Sequence, residues 1–126
     1  ERANLLDRYG SVVKAGLRAS LHCDYSVSPI GPLSYVATAA ARTMADGGEV
    51  LNVAERVSVA QALRANTIDA AWMCHADGLT GSLAEGKAAD FVLLADNPLD
   101  HENDPDAVRE IGVLATYLDG AEVHSA

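Results

Sequence analysis

The stretch Gly81-Ser82-Leu83-Ala84-Glu85-Gly86-Lys87-Ala88-Ala89-Asp90-Phe91-Val92-Leu93-Leu94 decides how this 126-residue chain is read. Its two glycines stand where tight turns need backbone freedom, because glycine lacks the Cβ that closes off positive φ. Phe91 to Leu94 is a compact apolar run, ended by Asp96-Asn97-Pro98, and predicts a strand. Lys87 and Asp90 are expected to pair across the turn that enters it. No G-x-x-x-x-G-K-[ST] spacing occurs, which disfavours a phosphate cradle.

Downstream, acidic residues crowd into Asp96 to Glu110 and predict a solvated loop. Ile111 to Leu118 reads as a second strand. Asp119-Gly120 is a favoured hairpin turn leading into Glu122-Val123-His124. The tail is therefore a small β unit.

Upstream the periodicity is helical. Ser58 stands three residues before Gln61, a capping box, and Val59, Ala62, Leu63 and Ile68 supply an apolar stripe. An alanine-rich helix is expected from about Leu33 to Ala45, stopped by Gly47-Gly48. Cys23 to Pro32 has loop chemistry. Leu17 to His22 is short and mostly apolar and predicts a buried strand. Leu5, Leu6, Tyr9, Val12 and Val13 recur at helical spacing before Gly16, which sits where a helix C-terminal glycine belongs. Helix, glycine and buried strand form the αβ half of a βαβ unit, so the chain is expected to be a piece of a larger fold.

Composition narrows the function classes. Hydrophobic residues make up 49%, enough for a core, and the chain carries 18 acidic against 9 basic residues. That balance predicts no nucleic-acid partner, since phosphate binding needs clustered lysine and arginine, and no docking on anionic membranes. Cys23 and Cys74 form no CxxC pair. No signal peptide is apparent and no apolar run is long enough to cross a bilayer, so a cytoplasmic setting with free thiols is expected.

The stretch quoted first, together with Thr67-Ile68-Asp69-Ala70-Ala71, resembles the C-terminal signature of the amidohydrolase superfamily. Leu21-His22-Cys23-Asp24-Tyr25-Ser26-Val27-Ser28-Pro29 with Pro32-Leu33 is similar to a segment of the branch that includes N-substituted formamide deformylase. Ala41-Arg42, Glu55-Arg56-Val57-Ser58 and Ala115-Thr116-Tyr117-Leu118-Asp119-Gly120 fit the same branch. The resemblance implies an α/β fold: the C-terminal part of a (β/α)8 TIM barrel plus strands of a composite β-sandwich. Residues 1–77 would be the last barrel strand with flanking helices, and residues 78–126 the C-terminal sandwich strands.

The resemblance also assigns roles. Asp24, at the end of barrel strand eight, is expected to bind the catalytic divalent metal, most naturally zinc, and to carry the proton of the attacking water. Read without it, Asp24 caps the turn before Ser26. His22 lies two residues earlier and would share a face with Asp24 on an extended strand; it is expected to orient Asp24 or contact substrate. Tyr25 is expected at the rim of the substrate pocket. His75, at a helix end, His101 and His124 match no ligand spacing.

The implied activity is hydrolysis of carbon–nitrogen bonds other than peptide bonds, in an amide- or formamide-like small molecule, by metal-activated water attack. A catalytic site needs about three protein ligands, and the family's other ligands, an HxH pair among them, have no counterpart in this sequence. The isolated chain is therefore expected to be inactive and without stoichiometric zinc. An unflanked strand eight is expected to drive self-association. A non-catalytic binding or regulatory module on the same scaffold is the alternative, and a deaminase or dihydropyrimidinase-like branch a third.

Overall fold

A computed structural model describes residues 2–46 and 48–126. Its helices are α1 (Tyr9–Lys14), α2 (Pro32–Ala41), α3 (Val59–Asn66) and α4 (Ile68–Met73). One antiparallel sheet follows in the order β1-β2-β3, made of β1 (Phe91–Leu94), β2 (Val113–Leu118) and β3 (Ala121–Ser125). Short 3-10 turns cover Arg2–Leu5, Val53–Glu55, Pro98–His101 and Pro105–Glu110.

The core forms where small side chains let helices approach. Val36, Ala37, Ala39 and Ala40 of α2 pack on Val59 and Ala62 of α3, with Val108 inserted from the Pro105–Glu110 turn. Val36, Val59 and Val108 are the largest side chains that are fully buried. α2 begins with Pro32 at its first position, where the missing N–H costs nothing. Its last turn closes at Arg42, which adopts a left-handed φ of 55° and donates its amide to the Thr38 carbonyl. The helix thus ends before Ala45. Gly47, the other half of the expected stop, lies outside the described residues, and Gly48 has φ 68°.

α3 starts as its sequence dictates. The Gln61 amide donates to Ser58 Oγ at 3.1 Å and the Ser58 amide donates to Gln61 Oε1 at 2.9 Å. At α1, Ser11 holds the Glu55 carboxylate through its backbone amide at 2.6 Å and through its hydroxyl. These bonds, against some desolvation, hold the Glu55 carboxyl below the usual range. Gly10 makes this approach possible, since a Cβ there would lie 2.6 Å from the Glu55 carbonyl oxygen.

Three further expectations are corrected. Leu17 to His22 forms no strand: the segment has no ladder partner, and Leu17 is exposed, although Leu21 packs on the core. A strand exists only through its neighbour's hydrogen bonds, and the sheet of this chain lies elsewhere. The Asp96–Glu110 stretch is more than a solvated loop, since it delivers buried Pro98 and Val108. Lys87 and Asp90 form no ion pair among the described residues. Lys87 Nζ donates to the Asp77 carbonyl and to Ser82 Oγ at 2.8 Å, while Asp90 accepts from Thr80 Oγ1 at 2.7 Å and from the Asp119 amide at 2.8 Å.

The β unit follows its sequence closely. Asp119 and Gly120 take φ of 50° and 78°, the two positive values that a tight hairpin turn with the strands' own twist requires. Phe91 pairs with Tyr117, and their rings stack at 4.5 Å between centroids. No helix among the described residues is long and apolar enough to cross a membrane.

Candidate active site

Asp24 sits at the start of a tight turn, with φ 52°, and its carbonyl accepts the Val27 amide at 2.7 Å. Aspartate tolerates this left-handed conformation better than most residues. Asp24 is exposed, and its carboxylate makes no hydrogen bond among the described residues. Its amide donates to His22 Nδ1 at 3.1 Å. An Nδ1 that accepts must leave the ring proton on Nε2, so this contact fixes the histidine tautomer. His22 thus touches Asp24 through the backbone and holds the turn that presents the carboxylate. Tyr25, 72% exposed, lies beside it and makes no side-chain hydrogen bond among the described residues.

The 17–23 segment is tethered by Arg18. Its guanidinium lies 5.3 Å from the Trp72 ring centroid and 3.7 Å from the buried Asp69 carboxylate, which Arg64 holds at 3.0 Å. Burial, then the Asp69 charge, raises the Tyr9 phenol nearby, against the opposing pull of Arg64. Sequence reading missed this tether because it joins residues far apart in the chain.

Beside the turn lies a groove of about 860 Å³ lined by Tyr9, His22, Cys23, Tyr35 and Arg42 among others. His22 reaches it; Asp24 and Tyr25 do not line it. Tyr35 Oη accepts the Gly31 amide at 2.8 Å and donates to the Pro29 carbonyl at 3.2 Å, pinning the loop after Asp24. Desolvation first, then the Cys23 thiol, raises this phenol, against the Gly31 amide. Arg42 is buried and donates to three carbonyls, Leu51 at 2.7 Å and Asp7 and Leu6 at 2.9 Å each. It welds the N-terminal segment to the groove wall. Its place at the end of α2 was the available signal, since cations suit a helix C-terminus.

A divalent metal needs several converging donors. Among the described residues no group of three or more His, Cys, Asp or Glu side chains could hold one. Asp24 offers one carboxylate, so the described residues do not by themselves fit a catalytic metal. His75 is exposed just beyond α4, and His101 Nε2 meets Asp96 Oδ2 at 2.9 Å in an exposed pair.

Comparison with known proteins supplies the frame. An amidohydrolase family model matches residues 1–124. Protein LONG AFTER FAR-RED 3 of Arabidopsis thaliana is 35% identical over 117 residues, covering 92% of this chain and 19% of that protein. N-substituted formamide deformylase of Arthrobacter pascens is 37% identical over 111 residues, covering 87% of this chain and 20% of that enzyme. The crystal structure of an amidohydrolase from Thermotoga maritima superposes with a TM-score of 0.67 at 23% identity, over 91% of this chain and 25% of that one. The chain thus spans about a fifth of the length of these curated relatives.

Proposed function

This chain belongs to the amidohydrolase family, and from that premise we propose that it is the C-terminal part of a hydrolase acting on carbon–nitrogen bonds other than peptide bonds. The observation that carries the reading is the match over nearly the whole chain to a family model and to a formamide deformylase. The substrate would be a small amide- or formamide-like molecule. Residues 1–77 would complete a TIM barrel and residues 78–126 a β-sandwich, in a cytoplasmic protein.

Within the intact enzyme Asp24 would be a ligand to a divalent metal, zinc in the first instance, and would carry the proton of the attacking water. What supports this is its exposed, unengaged carboxylate on a turn held by His22. His22 would point its Nε2–H into the groove toward substrate, and Tyr25 would form the rim. The remaining metal ligands would come from outside this chain, and no catalytic step is derived from its residues alone. Self-association of the isolated chain belongs to the same reading, although the strand expected to drive it is not formed.

The test uses a polypeptide of full family length containing this sequence, loaded with zinc and supplied with N-substituted formamides. Amine release is expected, falling by at least about 1,000-fold in Asp24→Asn, as for loss of a group acting on the reacting water. Turnover unchanged by Asp24→Asn would refute the role of Asp24. The isolated chain is expected to show no turnover. Zinc retained after dialysis by the isolated chain and lost in Asp24→Ala would overturn the incompleteness of its site.

A further inference from the structure

Asp24 stands at one end of a loop whose other end converges on a single phenol oxygen. Tyr35 Oη accepts the Gly31 amide at 2.8 Å and donates to the Pro29 carbonyl at 3.2 Å. A hydroxyl has one proton to give and can accept twice, so one oxygen closes the loop on both sides of Ile30. The Cys23 thiol, one residue before Asp24, meets the same phenol: burial first and then this thiol raise it. Tyr35 is itself firmly placed. It lies in the first turn of α2, next to Val36, which is fully buried in the core with Val59 and Val108. Asn66 of α3 donates to the Pro32 carbonyl at 2.7 Å, which holds the start of the helix. Just past its end, Thr43 Oγ1 donates to Asp106 Oδ2 at 2.6 Å.

We propose that Tyr35 is a positioning residue for Asp24, its hydroxyl closing the loop that presents the carboxylate; this rests on the role advanced for Asp24 in the intact enzyme. At the start of the loop the Asp24 amide is held by His22 Nδ1 and the Asp24 carbonyl by the Val27 amide. With Pro29 and Gly31 fixed by Tyr35, residues 25–28 run between two anchored ends, and a short closed loop has little freedom to swing. Anchoring it to a packed helix makes the placement more precise than a loop achieves alone. The listed bonds of Tyr35 Oη go to main-chain groups, so it acts through the backbone that carries Asp24 and not by chemistry of its own. Every atom of this tether belongs to residues 23–35, so it needs nothing from the rest of the polypeptide.

The polypeptide of full family length tests this by amine release from N-substituted formamides and by hydrogen exchange over residues 24–31. Tyr35→Phe removes one oxygen and leaves the ring. It is expected to lower kcat about 10–100-fold, the scale of a misplaced group, with KM changed less than about threefold. Added to Asp24→Asn, it is expected to cost less than about threefold more, because groups that act as a unit are not additive. Exchange over 24–31 is expected to run about 3–10-fold faster than in the wild type, with α3 unchanged. Tyr117→Phe, which removes a hydroxyl bonded to Glu122 on the sheet, is expected to move neither readout. Full kcat or unchanged exchange in Tyr35→Phe, or an equal loss with and without the Asp24 carboxylate, overturns the positioning role and leaves the proposed function standing. A wild-type protein that turns over none of these amides overturns the proposed function, and the role of Tyr35 with it. If Tyr35→Phe fails to fold, the wild type decides: a Gly31 amide that exchanges as fast as an unbonded one overturns the tether, and a protected one upholds it.

Discussion

Replacing Gly81 with alanine separates two costs that the family signature combines. Gly81 has φ 83°, and a Cβ there would lie 2.6 Å from the Ala71 Cβ, 3.0 Å from the Ile68 Cα and 3.2 Å from the Thr67 carbonyl oxygen. Gly86 has φ 85° with nothing within 4 Å of the same added atom. Gly86→Ala therefore carries only the left-handed backbone penalty, about 1–2 kcal/mol. Gly81→Ala adds overpacking against helix backbone, about 1–3 kcal/mol more, for a total of roughly 2–5 kcal/mol. Small domains are stable by only about 5–15 kcal/mol, so the second variant approaches the threshold of folding. Urea titration followed by circular dichroism reads the difference, a midpoint lower by roughly 1–2 M for Gly81→Ala than for Gly86→Ala at ordinary slopes. Equal midpoints within error would refute the close approach of the 81 turn to α4, and with it the account of why Thr67, Ala71 and Gly81 occur together.

Four further outcomes are expected. Ser58→Ala removes the cap of α3 and should lower stability by about 1 kcal/mol in the same titration, with no change expected if the capping box were ornamental. Lys87→Met leaves Ser82 Oγ and the Asp77 carbonyl without their cation and should cost about 1–3 kcal/mol, while a neutral result would show the 77–82 loop held by other means. Asp90 and Asp106 have carboxyls held below the usual range, Asp90 first by the Asp119 amide and Asp106 first by the Thr43 hydroxyl. A depressed folded value stabilises above the unfolded value of about 3.9 and is lost as pH falls through the folded one, so acid should weaken the fold. Asp90→Asn should shrink that acid loss; an unchanged pH profile would remove Asp90 from the account. Asp24→Asn should shift stability by less than about 0.5 kcal/mol, because asparagine also tolerates the left-handed turn; a larger loss would make Asp24 a turn cap rather than a free carboxylate.

What the sequence disclosed divides along a physical line. Ser58 with Gln61, Asp119 with Gly120, and Gly16 with φ 72° after α1 all act through contacts within a few residues, so their types and spacing carried the information. Phe91 to Leu94 is equally local in its apolar run and its bounding turns. Leu17 to His22 has the composition of a strand, but strand formation depends on a neighbour, and composition cannot supply one. Val108 failed from the opposite side. It stands among acidic residues, and only the fold reveals that a 3-10 turn aims it between α2 and α3.

The site shows the same division at closer range. The reading of Asp24 as a turn residue was legible from the residues around it, and the geometry has that turn, with φ 52° and a carboxylate that makes no hydrogen bond among the described residues. A strand end would fix the backbone by ladder bonds to its neighbours, whereas here His22 Nδ1, the Val27 amide and the Arg18–Asp69–Trp72 tether hold the segment. Holding a turn by three separate contacts restrains the backbone while leaving the side chain free to meet donors contributed from elsewhere. Because Asp24 is exposed, water solvates its carboxylate, which costs this chain none of the stability that a buried unpaired carboxylate would.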